Sequence, residues 1–275
     1  MILFDSHAHV NHENYSGRDR DELAKEIESS DVGYVVDIGF DLSSSALAVE
    51  NAGRYGWCYA AVGVHPHDVK DVDDDLIPLL KGLAGKPKVV AIGEIGLDYY
   101  RNLSPREDQQ RWFRKQLRLA LELGMPIVIH DRESKGDTIR ILKEEGAFDK
   151  QRADKFPVNP DTGYPDARVL LHCFSGSAEE ALKFIAMGAT ISIAGPITYA
   201  NNRKTTEVAA RVPLAHLLIE TDAPYLSPEP FRGKPNSSPF VEFTAKKIAE
   251  VKGLSMGEIA AATCENAKRF YNIEN

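Results

Sequence analysis

Six side chains of this 275-residue chain can hold a cation, and each stands just past a short apolar run. His7 and His9 lie in DSHAH, Glu94 follows VVAIG, and His130 follows PIVI. His172 follows VLL, and Asp222 follows LLIET. One His-X-His pair carries little weight, and a single carboxylate at a strand end serves equally well as a helix cap or salt bridge. Six such groups at matching strand ends are another matter. Like charges converging in a half-buried mouth are costly unless a cation joins them. Imidazole and carboxylate donors suit Zn²⁺, Mn²⁺, Fe²⁺ or Ni²⁺ and, with more water, Mg²⁺.

The elements that must position these groups alternate along the chain. Strands are expected at residues 1–6, 32–38, 57–62, 88–93, 126–129, 168–171, 189–193 and 217–219. They are near-continuous apolar runs, as in a parallel sheet buried on both faces. A charged helix is expected from Asp19 to Glu28. Ser104 with Glu107, Ser177 with Glu180 and Ser255 with Glu258 read as capping boxes that open helices, the first with Pro105 at the first helical position. Eight strand–helix units predict one TIM-type (β/α)₈ barrel spanning residues 1–275, its active site at the C-terminal ends of the strands. An open doubly wound sheet is disfavoured because no GxGxxG turn follows a strand. Residues 146–166 read as an extended surface loop away from the active face, and the four-proline stretch 227–239 as a loop on it.

Composition narrows the function classes. The formal charge of −8 argues against a protein that grips nucleic acid by charge alone, but not against an enzyme reaching phosphates through bound cations. Cys58, Cys173 and Cys264 form neither a disulfide framework nor a CxxC metal motif, and Cys173 should turn away from His172 into the core. There is no signal peptide and no run long enough to span a membrane, so a cytoplasmic protein without an obligate protein partner is expected.

Taken together, DSHAH, GVHPH (63–67), GEIGLDYY (93–100), IHDR (129–132), HCFSGS (172–177) and ETDAPYL (220–226) closely resemble the TatD-type deoxyribonucleases, amidohydrolase-like metal hydrolases. The resemblance spans nearly the whole chain. It implies two divalent ions, Mg²⁺ or Mn²⁺ with Zn²⁺ as an option. His7, His9 and Asp222 would hold one, His130 and His172 the other, and Glu94 would bridge them. Lys88 stands at the wrong end of its strand to serve as the carboxylated lysine of the wider superfamily. The implied reaction is phosphodiester hydrolysis of DNA, on single strands or 3′ ends, as a 3′–5′ exonuclease. The 146–166 loop is longer than expected, and RGKPNSSPF (232–240) has serines where many members carry glutamate.

The expected catalytic groups are Asp222, Glu94 and His65. Asp222 would orient water and accept its proton, and His65 would contact the scissile phosphate or leaving oxygen. Arg232, Lys234 and Arg101 are expected to clamp phosphate, and Tyr99, Phe174 and Tyr225 to offer stacking surfaces. The backbone at Ser177 can receive an anion. His67 and His12 read as loop residues, and His216 as uninvolved. The rival reading is a metal-dependent esterase or deacylase acting on aminoacyl-tRNA or on a small ester, lactone or amide. A scaffold protein that kept only the site would be expected to have lost a ligand.

Overall fold

The computed structural model describes residues 1–12 and 20–274. Eight strands run parallel in sequence order: β1 (Leu3–Ala8), β2 (Val32–Ile38), β3 (Cys58–Val62), β4 (Val89–Asp98), β5 (Ile127–Arg132), β6 (Val169–Leu171), β7 (Thr190–Ile193) and β8 (Leu217–Ile219). Between them lie α1 (Arg20–Glu28), α2 (Leu42–Arg54), α3 (Leu76–Ala84), α4 (Arg106–Leu123), α5 (Asp137–Glu144), α6 (Lys150–Ala153), α7 (Ala178–Ile185) and α8 (Arg203–Arg211). Helices α9 (Val241–Lys252) and α10 (Met256–Tyr271) follow β8. The ring closes where the chain leaving β8 runs beside β1. There the Asp222 N–H donates to the His7 carbonyl (3.0 Å) and the His9 N–H to the Ala223 carbonyl (2.7 Å). This is the expected TIM-type barrel. No helix among the described residues is long and apolar enough to cross a membrane.

Two apolar layers follow from strand alternation. Phe4, Val36, Ile38, Ala61, Ala91, Val128, Leu170 and Leu218 fill the barrel together with Phe270 and Tyr271 of α10. Tyr271 stacks on Phe4 (centroids 6.1 Å apart), and its hydroxyl donates to the Ser6 carbonyl at 2.8 Å. The small Ala61 and Ala91 leave room for these rings. Neighbouring strand residues such as Val35, Ile127 and Ile191 face outward, into one cluster with Leu80, Trp112, Leu117 and Val208 of the surrounding helices.

Several expectations need correction. β1, β4 and β5 run further than predicted, to Ala8, Asp98 and Arg132, so His7, Glu94 and His130 lie within strands. The capping boxes at Ser177 and Ser255 form, but the one at Ser104 does not. The Ser104 hydroxyl donates instead to the His67 carbonyl at 2.7 Å. The 146–166 stretch is not structureless: it contains α6 and a bridge between Val158 and Pro165. It packs at the N-terminal end of the barrel, where Asp166 accepts from Arg269 of α10. The predicted first helix begins at Arg20, and Asp19 lies outside the described residues.

Candidate metal centre

Strand geometry brings the six groups to one place. On β5 and β6 the alternation is regular. Val128 and Leu170 face the interior, so His130 and His172, two residues on, face it higher up, whereas Asp222 lies three residues past the end of β8 with φ +56° and is placed by that turn. On β1 and β4 the parity would be wrong, because Phe4 and Ala91 point inward and His7 and Glu94 are three residues further. Register shifts between Asp5 and Ala8, and between Ile92 and Ile95, correct this. Bulges of this kind re-aim side chains beside active sites.

Glu94 is central. Its Oε2 lies 3.5 Å from His7 Nε2 and 3.7 Å from His9 Nε2. Asp222 Oδ1 completes that group, 3.6 and 3.5 Å from the same two nitrogens. The other oxygen, Oε1, lies 2.8 Å from His130 Nδ1, 2.7 Å from His172 Nε2 and 3.4 Å from His65 Nε2. Ligands about 2.1 Å from a common ion stand roughly 3.0–3.4 Å apart; the His7, His9 and Asp222 group is slightly wider than this, and His130 and His172 sit closer, at hydrogen-bond distance from Glu94.

The outer hydrogen bonds suit cation binding. His9 Nδ1 donates to the Ile38 carbonyl at 2.8 Å, which leaves the Nε2 lone pair for the centre. His130 Nε2 faces the Asp98 carboxylate at 3.3 Å, which leaves Nδ1. His172 Nδ1 stands 3.5 Å from Glu220, at ion-pair distance but without a hydrogen bond. Ser192 in turn donates to Glu220 at 2.6 Å. The partners of His9 and His130 select the tautomer that binds a cation.

Electrostatics follow from the crowding. Burial alone would raise Glu94, but His172, His65 and His130 hold its carboxyl well below the usual range. Burial also opposes ionisation of Asp222, and His9 with His7 outweighs it, so this carboxyl is lowered too. Burial would lower His9, yet Asp222 and Glu94 take it up to about 8. His130 is raised, by Asp98 and Glu94 against burial, and His172 well above its ordinary value, by Glu94 and Glu220 against burial. His65 falls to about 3 because burial dominates. Its Nδ1 accepts from the His67 N–H at 3.1 Å, so the proton sits on Nε2, aimed at the centre.

The sequence reading missed two carboxylates and undervalued one imidazole. Asp98 Oδ2 accepts from His67 Nε2 (2.8 Å) as well as from His130, so His67, in the turn after β3 as expected, is also a partner of the site. Burial opposes ionisation of Asp98, but His130 and His67 hold its carboxyl far below the usual range. Glu220 was within reach of the alternation argument, being two residues past Leu218 on the same face. Asp98 was not, because the fourth strand was expected to stop at Gly93.

Of the other expected groups, Tyr225 packs edge-on against His9, with ring centroids 6.2 Å apart. Arg232 packs 4.3 Å over the Tyr199 ring, and Lys234 and Arg101 are exposed on their loops. Tyr99 and Phe174 are buried, Tyr99 bonded to Asp137 and Phe174 packed on Phe184, so neither offers a stacking face. Tyr225 is 44% exposed and does, with its hydroxyl 2.6 Å from His12. The Ser177 N–H is occupied by Glu180 at 2.7 Å and is not open to an anion. Cys173 does not turn into the core. It follows the end of β6 with φ +41°, and Glu220, Asp222 and Glu94 join burial in pushing its thiol well up. His216 lies just before β8, 3.7 Å from Asp166 and far from the centre. Lys88 donates to the Tyr55 and Gly56 carbonyls at the opposite end of β4.

The model of the family described as "TatD related DNase" matches residues 4–272. The chain belongs to the TatD family. It is 41% identical over 272 residues to the uncharacterized metal-dependent hydrolase YabD of Bacillus subtilis, covering 99% of this chain and 100% of that one. It is 34% identical over 260 residues to the 3′-5′ ssDNA/RNA exonuclease TatD of Cronobacter sakazakii, covering 92% of each. Among solved structures, the TatD homolog YJJV of Escherichia coli superposes with a TM-score of 0.85 at 29% identity, covering 99% and 98% of the two chains. This TatD-family chain is thus a metal-dependent hydrolase.

Proposed function

We propose that the chain removes nucleotides from single-stranded DNA, from the 3′ end, by metal-dependent phosphodiester hydrolysis. The observation that carries this reading is the two-sided Glu94 carboxylate, with one oxygen facing His7 and His9 and the other facing His130 and His172. That arrangement supports a pair of divalent ions; the family resemblance favours Mg²⁺ or Mn²⁺, while four imidazoles to two carboxylates also suit Zn²⁺. When bound, such ions acidify water and neutralise charge on phosphoryl oxygens. The name of the Cronobacter relative supports the substrate class and extends it to RNA.

The chain's own groups divide the remaining work. Asp222, kept ionised by His9 and His7, would orient the attacking water and take its proton. His65, kept neutral by burial with its proton on Nε2, would donate to a phosphate or leaving oxygen without adding a charge of its own. Glu94 would hold the two halves in register. Arg232, Lys234 and Arg101 are assigned to more distant phosphates.

The test is protein stripped of metal, resupplied with Mg²⁺ or Mn²⁺, and given end-labelled single-stranded DNA or RNA. We expect metal-dependent laddering from the 3′ end. Asp222→Asn should lose at least about 100-fold in rate, the low end for an oriented proton acceptor, and Glu94→Ala should lose activity together with bound metal. Absence of cleavage by folded, metal-loaded protein would remove the nuclease reading and leave the hydrolase. Aminoacyl-tRNA and lactone esters would then be assayed.

A further inference from the structure

On the β4–β5 side of the barrel mouth, a cation and an aromatic ring stand together outside the metal centre. Arg132 is the last residue of β5, two beyond His130, and alternation puts both on the inward face. Its guanidinium lies 4.1 Å from the centroid of the Tyr100 ring. Tyr100 is 59% exposed, and Arg132 is also exposed. No carboxylate among the described residues lies within ion-pair distance of Arg132, although acidic groups outnumber basic ones in this chain.

The pair is held in register with the candidate ligands. Asp98 Oδ1 accepts from the backbone N–H of Tyr100 (2.9 Å) and of Arg101 (2.7 Å), while its Oδ2 faces His130. One carboxylate therefore fixes both the turn that presents the ring and an imidazole of the centre. Across the mouth, beside the β8–β1 seam, Tyr225 offers the other exposed ring. In an eight-membered ring of strands, β4–β5 and β8–β1 are opposite, with the cluster between them.

We propose that Tyr100 and Arg132 form the subsite for the nucleotide next to the scissile phosphate on the His130 side, Tyr100 stacking its base and Arg132 gripping its phosphodiester. The inference rests on the phosphodiesterase reading above. A flat ring and a planar cation with no acidic partner suit an unpaired nucleotide, whose base face is free. A base stacked between two neighbours inside a duplex has no such free face. Stacking of this kind is tolerant of base identity, so the subsite favours single strands without reading sequence.

The test compares Tyr100→Ala and Arg132→Gln with wild type, all metal-loaded, on short single-stranded oligonucleotides carrying one abasic residue at each position in turn. Tyr100→Ala should raise KM roughly tenfold on the full oligonucleotide, within the usual range for one stacked base. KM should rise more than kcat falls. An abasic residue at one position next to the cleaved bond should cost wild type the same factor and cost Tyr100→Ala nothing further. Arg132→Gln should flatten the dependence of log affinity on log salt by about 0.7, the loss of one single-strand phosphate contact. Both side chains are exposed, so melting temperature and metal content serve as folding controls. Additive losses at every abasic position, or an unaltered KM and salt slope, would overturn the subsite while leaving the nuclease intact. Wild type inert toward every oligonucleotide would overturn both.

Discussion

At the scale of single residues, Asp98 ties together more of the site than any of the candidate ligands except Glu94. One of its oxygens faces His67 and His130, and the other holds two backbone N–H groups of the following turn. The negative charge matters because an imidazole N–H that points at a carboxylate makes the opposite nitrogen a stronger donor to a cation. Asp98→Asn keeps the volume and loses the charge. It should weaken metal binding about 10–100-fold, the usual cost of removing such an outer partner. Competition against a fluorescent chelator measures this directly, with circular dichroism to show that the barrel is intact. Affinity equal to wild type would mean that Asp98 only braces the turn. The six candidate ligands were legible in sequence because each closes an apolar run, so chain-local information sufficed. Asp98 and His67 were not, since their roles arise from a meeting of three connections that no spacing records.

At the scale of elements, His130 and His172 follow simple alternation from β5 and β6, Asp222 is placed by the turn after β8, and the strands carrying His7 and Glu94 break the alternation. The predicted His7 and His9 pairing on one face holds, but it depends on the irregularity of β1 that resets the parity from Phe4. β4 makes its own adjustment and then passes tightly beside β5 at Gly96. There φ is +144°, and a Cβ would lie 2.0 Å from the His130 carbonyl oxygen. No side chain fits without moving His130. Gly96→Ala should therefore strain the backbone and displace a candidate ligand together, costing about 1–3 kcal/mol for the overpacking. Urea unfolding would give the stability loss, and metal titration should show weakened binding even where the variant remains folded. A variant with native stability and affinity would show that β4 and β5 can separate freely at this point. Sequence could mark Gly93 and Gly96 only as glycines in an apolar run. Whether such a glycine bends, bulges or makes room is decided by the neighbouring strand. The failed capping box at Ser104 has a related origin: the helix begins one residue later, with Pro105 at its N-cap, and the Ser104 hydroxyl is turned to donate to the His67 carbonyl.

At the scale of the whole molecule, the barrel has a packed end and a polar end. Eight apolar runs made the ring predictable, whereas the closing of its lower end by Phe270 and Tyr271 was not, because α10 shows only the pattern of a terminal helix. The upper end draws its groups from β1, β4, β5, the end of β6 and the stretch after β8, so it gathers parts of the chain 215 residues apart across the closing seam. A cation held there binds the closed ring and not the unfolded chain, and so must stabilise the fold. A site filled at a hundred times its Kd contributes about 2.7 kcal/mol. For a chain of this length each kcal/mol moves the midpoint by roughly 2–4 °C. Stripping with a chelator should thus lower Tm by about 5–10 °C for each occupied site. Scanning calorimetry across a series of free Mg²⁺ or Mn²⁺ concentrations would show Tm rising with the logarithm of concentration once the sites begin to fill. Glu94→Ala, which takes one oxygen from each half, should flatten that rise, whereas Arg132→Gln should leave it intact because Arg132 only faces substrate. A Tm indifferent to chelator in wild type would mean that the ring closes without help from its polar end, and that the imidazoles and carboxylates are held in place by their mutual hydrogen bonds alone.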